Sequence, residues 1–199
     1  MKNKKLYLII FLGIIFSIIS FLVLNKKDMY IDNYIYQIIS GCKCDTLTYI
    51  IKFITYLGSA VVVISINLLI LIVLKNKKYG LFLALDLICI TIFQLVLKNI
   101  FCRTRPVGIG LIEEDGYSFP SGHTLTSVSF YGLLIYYIYN SNINKKYKKI
   151  LITLLVSTIF LVGFSRIYLG VHYFTDVIGA ISFSIIYITI YINIIKKYI

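Results

Sequence analysis

Apolar residues run through this chain in long blocks separated by short polar stretches. Six blocks have about the 20 residues that a helix needs to cross a bilayer. They are Leu6–Leu24, Tyr49–Leu74, Gly80–Ile100, Pro120–Tyr139, Ile150–Leu169 and Phe174–Ile195. The pattern predicts an all-α polytopic membrane protein, a bundle of six transmembrane helices. No repeat or Pro/Gly/Ser-rich linker divides it, and residues 1–199 are expected to form a single integral membrane domain. Between the first two blocks, segment 28–40 places Ile31, Tyr34, Ile35, Ile38 and Ile39 at helical spacing. A helix along the outer membrane surface and an ordinary loop both fit it. The stretch "TYLGS", residues 55–59, reads as a close-packing or turn feature with no chemistry of its own.

Composition removes the soluble alternatives. Hydrophobic residues make up 59% of the chain, charged residues only 14%, and the mean hydropathy is +0.90. The first block follows Lys2, Lys4 and Lys5, but "LNKKD" rather than a small-residue cleavage site comes after it, so it reads as a retained anchor. Lys2, Lys4, Lys5, Lys75, Lys77, Lys78, Lys145, Lys146, Lys148, Lys149, Lys196 and Lys197 occupy alternate connections and both ends, with no acid among them. The positive-inside rule then places both termini in the cytoplasm. Lysines facing an anionic inner leaflet account for most of the net charge of +12, and no nucleic acid or protein partner is called for. Trp is absent, so the 18 tyrosines must supply the interfacial aromatic belts. Cys42 and Cys44 are too close in sequence for an unstrained bridge and read as free thiols.

In this topology the unusual polar residues fall on one side. Lys98 ends the third block, followed by Arg103, Arg105 and the helix-stopping Pro106. "PSGH", residues 120–123, opens the fourth block, Arg166 ends the fifth, and His172 and Asp176 open the sixth. His123 and His172 are the chain's two histidines. His172 and Asp176 stand at i and i+4, so the carboxylate can hold one ring nitrogen and aim the other. Ser121, Gly122 and His123 at a helix start would offer free backbone N–H groups to an anion, and Gly122 permits close approach. Lys98, Arg105 and Arg166 add donors that suit phosphate. The layout fits phosphoryl transfer through a phosphohistidine: His172 attacks phosphorus, His123 protonates the leaving oxygen and then activates water, and the cations stabilise equatorial charge.

These residues carry a family resemblance. "KNIFCRTRP" (98–106), "PSGH" (120–123) and "SRIYLGVHYFTD" (165–176) resemble, in order and spacing, the three motifs of the type 2 phosphatidic acid phosphatase (PAP2) superfamily, in its bacterial membrane lipid phosphatase branch. The resemblance implies a six-helix bundle with an outward-facing site. It implies phosphate binding by Lys98, Arg105, Ser121, Gly122 and Arg166, acid–base work by His123, nucleophilic attack by His172 and orientation by Asp176. It also implies no metal and no cofactor. Arg103 lies outside the strict motif and is a further candidate substrate contact.

The implied substrate is a lipid phosphate in the bilayer: phosphatidic acid, phosphatidylglycerophosphate or undecaprenyl diphosphate. A lipid-phosphate phosphotransferase and a non-catalytic binder or transporter share the same residues and stay open. Glu113, Glu114 and Asp115 read as a solvated loop. Asp86, on the inner half of the third block, lies too far from Lys98 to join the site and reads as a polar contact between helices.

Overall fold

The computed structural model describes residues 2–27 and 29–198. Helices are the only regular elements among them: α1 Lys2–Leu24, α2 Tyr30–Ser40, α3 Asp45–Tyr56, α4 Ala60–Val73, α5 Lys78–Phe101, α6 Gly122–Asn140, α7 Lys145–Tyr168 and α8 Phe174–Ile195. Segment 28–40 therefore contains a helix, and its Ile39 and Asp32 are buried.

Four helices are long and apolar enough to cross a membrane: α1, α5, α7 and α8. The second predicted block differs from expectation. It is broken at Leu57–Ser59 into α3 and α4, which bend by 49° and together could make one span. The break has two local causes. Ser59 caps α4 by accepting the Val62 N–H at 3.4 Å. At Gly58 the chain presses against α6 and α7 so closely that a Cβ would stand 2.5 Å from Val162 Cγ1 and 3.2 Å from the His123 carbonyl oxygen.

The fourth predicted block also differs. Pro120 stays outside α6, whose N-cap is Ser121. At 19 residues α6 is long enough to cross, yet it is not among the helices apolar enough to qualify. Its position explains this. It packs against α4, α5, α7 and α8, burying Thr124, Ser127 and Ser129 beside Leu125, Phe130 and Leu133. A helix enclosed by other helices meets little lipid and needs no continuous apolar surface.

Lipid-facing character falls on the outer helices instead, where Leu8, Phe11, Ile18 and Phe21 of α1 and Leu81, Leu85, Ile88 and Ile92 of α5 are exposed. Asp86 accepts a 2.6 Å hydrogen bond from Ser129 Oγ, joining α5 to α6 as a polar interhelical contact. The four cysteines are free thiols.

Elements α5 and α7 run toward the same end of the bundle, where α6 and α8 begin. The α5–α6 connection folds over that end. Its Leu111 N–H donates to the Leu169 carbonyl at 2.8 Å, pinning it to the α7–α8 turn. Gly170 takes φ +70° there, with the Ile109 carbonyl pressed against the place where a Cβ would stand. Left-handed backbone and this close approach both call for glycine.

Candidate active site

The residues assigned to the site from the sequence come from this end. Lys98, Arg105, Gly122, His123 and His172 line one cavity of about 240 Å³, which continues between α4 and α5 past Ala60, Val63 and Thr91. They arrive from α5, the α5–α6 connection, the start of α6 and the α7–α8 turn, which only tertiary packing could arrange.

His172 lies in the short α7–α8 turn, 3% exposed. Its N–H and that of Val171 both donate to the Arg166 carbonyl at 3.3 Å, which fixes the turn. Its Nδ1 lies 3.4 Å from Asp176 Oδ2, in ion-pair range but longer than a well-formed hydrogen bond, with no other partner among the described residues. Its Nε2 stands 3.2 Å from Arg105 Nη1, a permanent donor. A proton on Nδ1 and a lone pair on Nε2 satisfy both neighbours. Burial, helped by the charges of Arg166 and Arg105, outweighs Asp176 and pushes the imidazole pKa down to about 4. The ring is therefore neutral at pH 7.

Asp176 is fully buried in the first turn of α8. Its Oδ2 also accepts the Tyr173 N–H at 2.9 Å, and its Oδ1 accepts from Arg103 Nη1 at 2.5 Å. The carboxylate is thus fixed before any substrate arrives. Arg103 itself stands away from the cavity, behind Asp176, with Nη2 2.7 Å from Asp32. Burial opposes its charge, but Asp176 and Asp32 raise its pKa further. Arg103, a further candidate substrate contact, has Asp176 and Asp32 as carboxylate partners.

Arg166 is fully buried, and Thr55 Oγ1 accepts from its Nη1 at 2.7 Å. The "TYLGS" stretch, read from the sequence as free of chemistry, therefore helps aim a phosphate-binding candidate, and its Gly58 lines the cavity. The sequence offered little signal for this, because Thr55 and Arg166 are 111 residues apart.

Ser121 also departs from expectation. Its N–H donates to the Asp176 carbonyl at 3.2 Å and its hydroxyl accepts from Thr124 at 3.0 Å, so it ties α6 to α8 from a fully buried position. Among the described residues no partner takes the Gly122 and His123 N–H groups, which open α6 at the cavity. Two free N–H groups at a helix start still make an anion site. Lys98 adds an ammonium with no ion pair or hydrogen bond among the described residues.

Glu114 is the largest departure. Instead of lying in a solvated loop it lines the cavity, accepts a charge-assisted hydrogen bond from Arg166 Nη2, and stands 3.7 Å from Arg105 Nη2. Burial alone would raise its pKa, but Arg166, His123 and Arg105 hold it below the usual range. Its run of acids looks like any solvated loop, and the sequence carried no sign of its partners. Gln94 was likewise missed, although it stands one turn before Lys98 on α5 and so shares its face. Among the described residues no group of three or more His, Cys, Asp and Glu side chains could hold a metal ion.

A sequence profile described as the PAP2 superfamily matches residues 78–199, more than half of the chain. Phosphatidylglycerophosphatase B of Bacillus subtilis (strain 168) is 37% identical over 92 residues, 46% of this chain and 45% of that protein. The chain thus matches under half the length of that relative. Undecaprenyl-diphosphatase of Sulfolobus acidocaldarius is 26% identical over 186 residues, 90% of this chain and 85% of that protein. The crystal structure of a transmembrane PAP2-type phosphatidylglycerolphosphate phosphatase from Bacillus subtilis superposes with a TM-score of 0.82 at 26% identity, covering 96% of this chain and 97% of that one. The crystal structure of Aquifex aeolicus LpxE superposes with a TM-score of 0.69 at 24% identity over 85% of this chain and 97% of that one, which bears on the fold alone.

Proposed function

Because the chain belongs to the PAP2 superfamily, we propose that it is a membrane phosphatase that hydrolyses the phosphomonoester or diphosphate of a lipid. One observation carries the proposal: a neutral, carboxylate-backed histidine presents its Nε2, held by Arg105, at the cavity that also holds His123, Lys98 and the open start of α6.

The geometry supports a two-step reaction. In the first step the Nε2 lone pair of His172 attacks phosphorus. An N–P bond forms, the bond from phosphorus to the leaving oxygen breaks, and His123 donates a proton to that oxygen. Asp176 stabilises the positive charge that develops on the ring. In the second step His123 takes a proton from water, water oxygen bonds to phosphorus, the N–P bond breaks, and orthophosphate leaves. Lys98, Arg105, Arg166 and the Gly122 and His123 N–H groups provide the positive field for the equatorial oxygens, so the reaction needs no metal. Glu114 already occupies part of that field, so phosphate binding is an exchange of one anion for another.

The cavity continues between α4 and α5 past apolar Ala60, Val63 and Ile64, which suits a substrate whose tail stays in the bilayer. Phosphatidylglycerophosphate and undecaprenyl diphosphate enter as candidates through the names of the relatives, and phosphatidic acid through the shared phosphomonoester. We take the bent α3–α4 pair as one span and α6 as another, which brings the membrane helices to six in a single domain, residues 1–199. The lysine-rich connections at the far end support cytoplasmic termini and an extracytoplasmic site.

The test is phosphate release by the purified protein in detergent, with each of the three lipids offered in parallel, EDTA present and His172→Ala as control. Release from at least one lipid with a dead control supports the reading. A folded wild-type protein that releases nothing would overturn it.

A further inference from the structure

Behind the catalytic pair lies a second layer of charge. Asp32, on α2, is only 4% exposed and has no part in the cavity. Its Oδ1 accepts the Thr175 N–H at 2.8 Å, and its Oδ2 accepts the Thr175 hydroxyl at 2.8 Å and Arg103 Nη2 at 2.7 Å. The other arm of Arg103 reaches Asp176 Oδ1 at 2.5 Å and the Thr175 hydroxyl at 2.8 Å. The guanidinium lies over the Tyr173 ring, 4.1 Å from its centroid. A planar fork is thus clamped between two buried carboxylates and against an aromatic face.

We infer that Asp32 is a positioning residue for the reaction, acting through Arg103 and Thr175 to fix the orientation and charge of Asp176 behind His172. Three physical points support this. First, Asp32 caps α8 from another helix, accepting the N–H of Thr175 in its first turn. The cap holds the turn that bears Asp176. Second, Arg103 shares its positive charge between two carboxylates. Without Asp32 its whole charge would fall on Asp176, weakening the negative field at the His172 ring. Third, the Nδ1 to Oδ2 separation is already long at 3.4 Å, so a small displacement of Asp176 matters. Helix α2 thereby becomes part of the reaction machinery, although it is 143 residues from Thr175 in sequence.

Asp32→Asn isolates the charge. Asparagine Oδ1 can keep the cap on Thr175, while the Arg103 contact and the negative charge are lost. The other charged groups facing His172 and Asp176 stay unchanged: Lys98 from α5, Arg103, Arg105 and Glu114 from the α5–α6 connection, His123 from α6 and Arg166 from α7. Two readouts apply. With dioctanoyl phosphatidic acid as probe, kcat falls about tenfold while KM stays within about twofold, and Asp32→Glu recovers part of the loss. This arm rests on the phosphatase reading.

The second readout does not rest on it. The chain has two histidines, so 15N-histidine labelling with His123→Gln for assignment reports His172 alone. Removing a negative charge should lower its titration midpoint by about half a pH unit in Asp32→Asn. A folded Asp32→Asn protein with unchanged kcat and unchanged His172 midpoint would reduce Asp32 to a helix cap and overturn the inference. If the wild-type protein releases no phosphate, the histidine spectra alone decide. If Asp32→Asn does not fold, Arg103→Lys takes its place, since one ammonium cannot span both carboxylates. Its kcat should fall at constant KM, and an unchanged kcat would overturn the inference equally.

Discussion

The carboxylate of Glu114 accepts a charge-assisted hydrogen bond from Arg166 Nη2, and its second oxygen stands 3.7 Å from Arg105 Nη2. In the proposed reaction both guanidinium groups serve the substrate phosphate. A loop carboxylate therefore occupies in the resting protein a place that the phosphate must take.

Glu114→Gln should consequently bind phosphate-like anions more tightly. The neutral amide no longer competes for Arg166, and the net charge of the cavity rises by one. We expect orthovanadate inhibition to strengthen about tenfold, close to what one displaced charge-assisted contact is worth. Slower turnover through retained orthophosphate would accompany it. Inhibition constants at fixed pH test this, and a weaker vanadate affinity would assign Glu114 to substrate binding instead.

Substitution of the catalytic candidates should separate chemistry from folding. His172→Ala and His123→Ala should keep the helical fold, because both side chains border a cavity, yet lose turnover by about 10²–10⁴-fold or more. Asp176→Asn should lower kcat severely and also destabilise, because its carboxylate accepts bonds from Arg103 and Tyr173. Circular dichroism beside phosphate release distinguishes the two effects.

The His172 imidazole, with its pKa depressed from 6.5 to about 4, sets a pH dependence of stability. A depressed pKa means that the unfolded chain binds the proton more readily. The stabilisation is complete above about pH 6.5 and fades as pH falls toward 4. The melting temperature in detergent should drop across that window, and His172→Gln should flatten the drop. Turnover should not show an acid limb at 6.5 that belongs to His172. Equal slopes for the two proteins would contradict the depressed value.

Thr55→Val removes the acceptor of Arg166 Nη1 at nearly constant volume. A buried guanidinium N–H left without a partner costs about 1–3 kcal/mol. We expect a lower melting temperature together with a KM raised several-fold, since Arg166 loses its fixed aim. A change in stability with KM untouched would make Thr55 a packing residue only.

Gly58→Ala probes the break between α3 and α4. The new methyl would meet Val162 Cγ1, Ser127 Oγ and the His123 carbonyl, of which the carbonyl belongs to the first turn of α6. Overpacking of this kind costs about 1–3 kcal/mol. Because the strain is delivered beside His123, turnover should fall with stability, which thermal melts and phosphate release measured on one preparation would show.

Much of this protein is written locally. The long apolar blocks identify the membrane helices because lipid leaves no other way to satisfy backbone N–H and C=O groups. Motif spacing singles out Lys98, Arg105, His123, Arg166, His172 and Asp176, since the chemistry of phosphate calls for those residue types at helix ends. The block pattern recorded neither the enclosure of α6 by other helices, which relieves it of lipid contact, nor the break at 49–74, where Gly58 and Ser59 split one block into two helices.

What the sequence left open depends on contacts between distant segments. Asp32 lies 71 residues from Arg103, and Glu114 lies 52 from Arg166. An acid in a polar stretch reads the same whether it faces water or a buried guanidinium, because local pattern records neither burial nor partner. Only the packing of α2 against α8, and of the α5–α6 connection over the bundle end, decides that Asp32 shares Arg103 with Asp176 and that Glu114 stands among the cations.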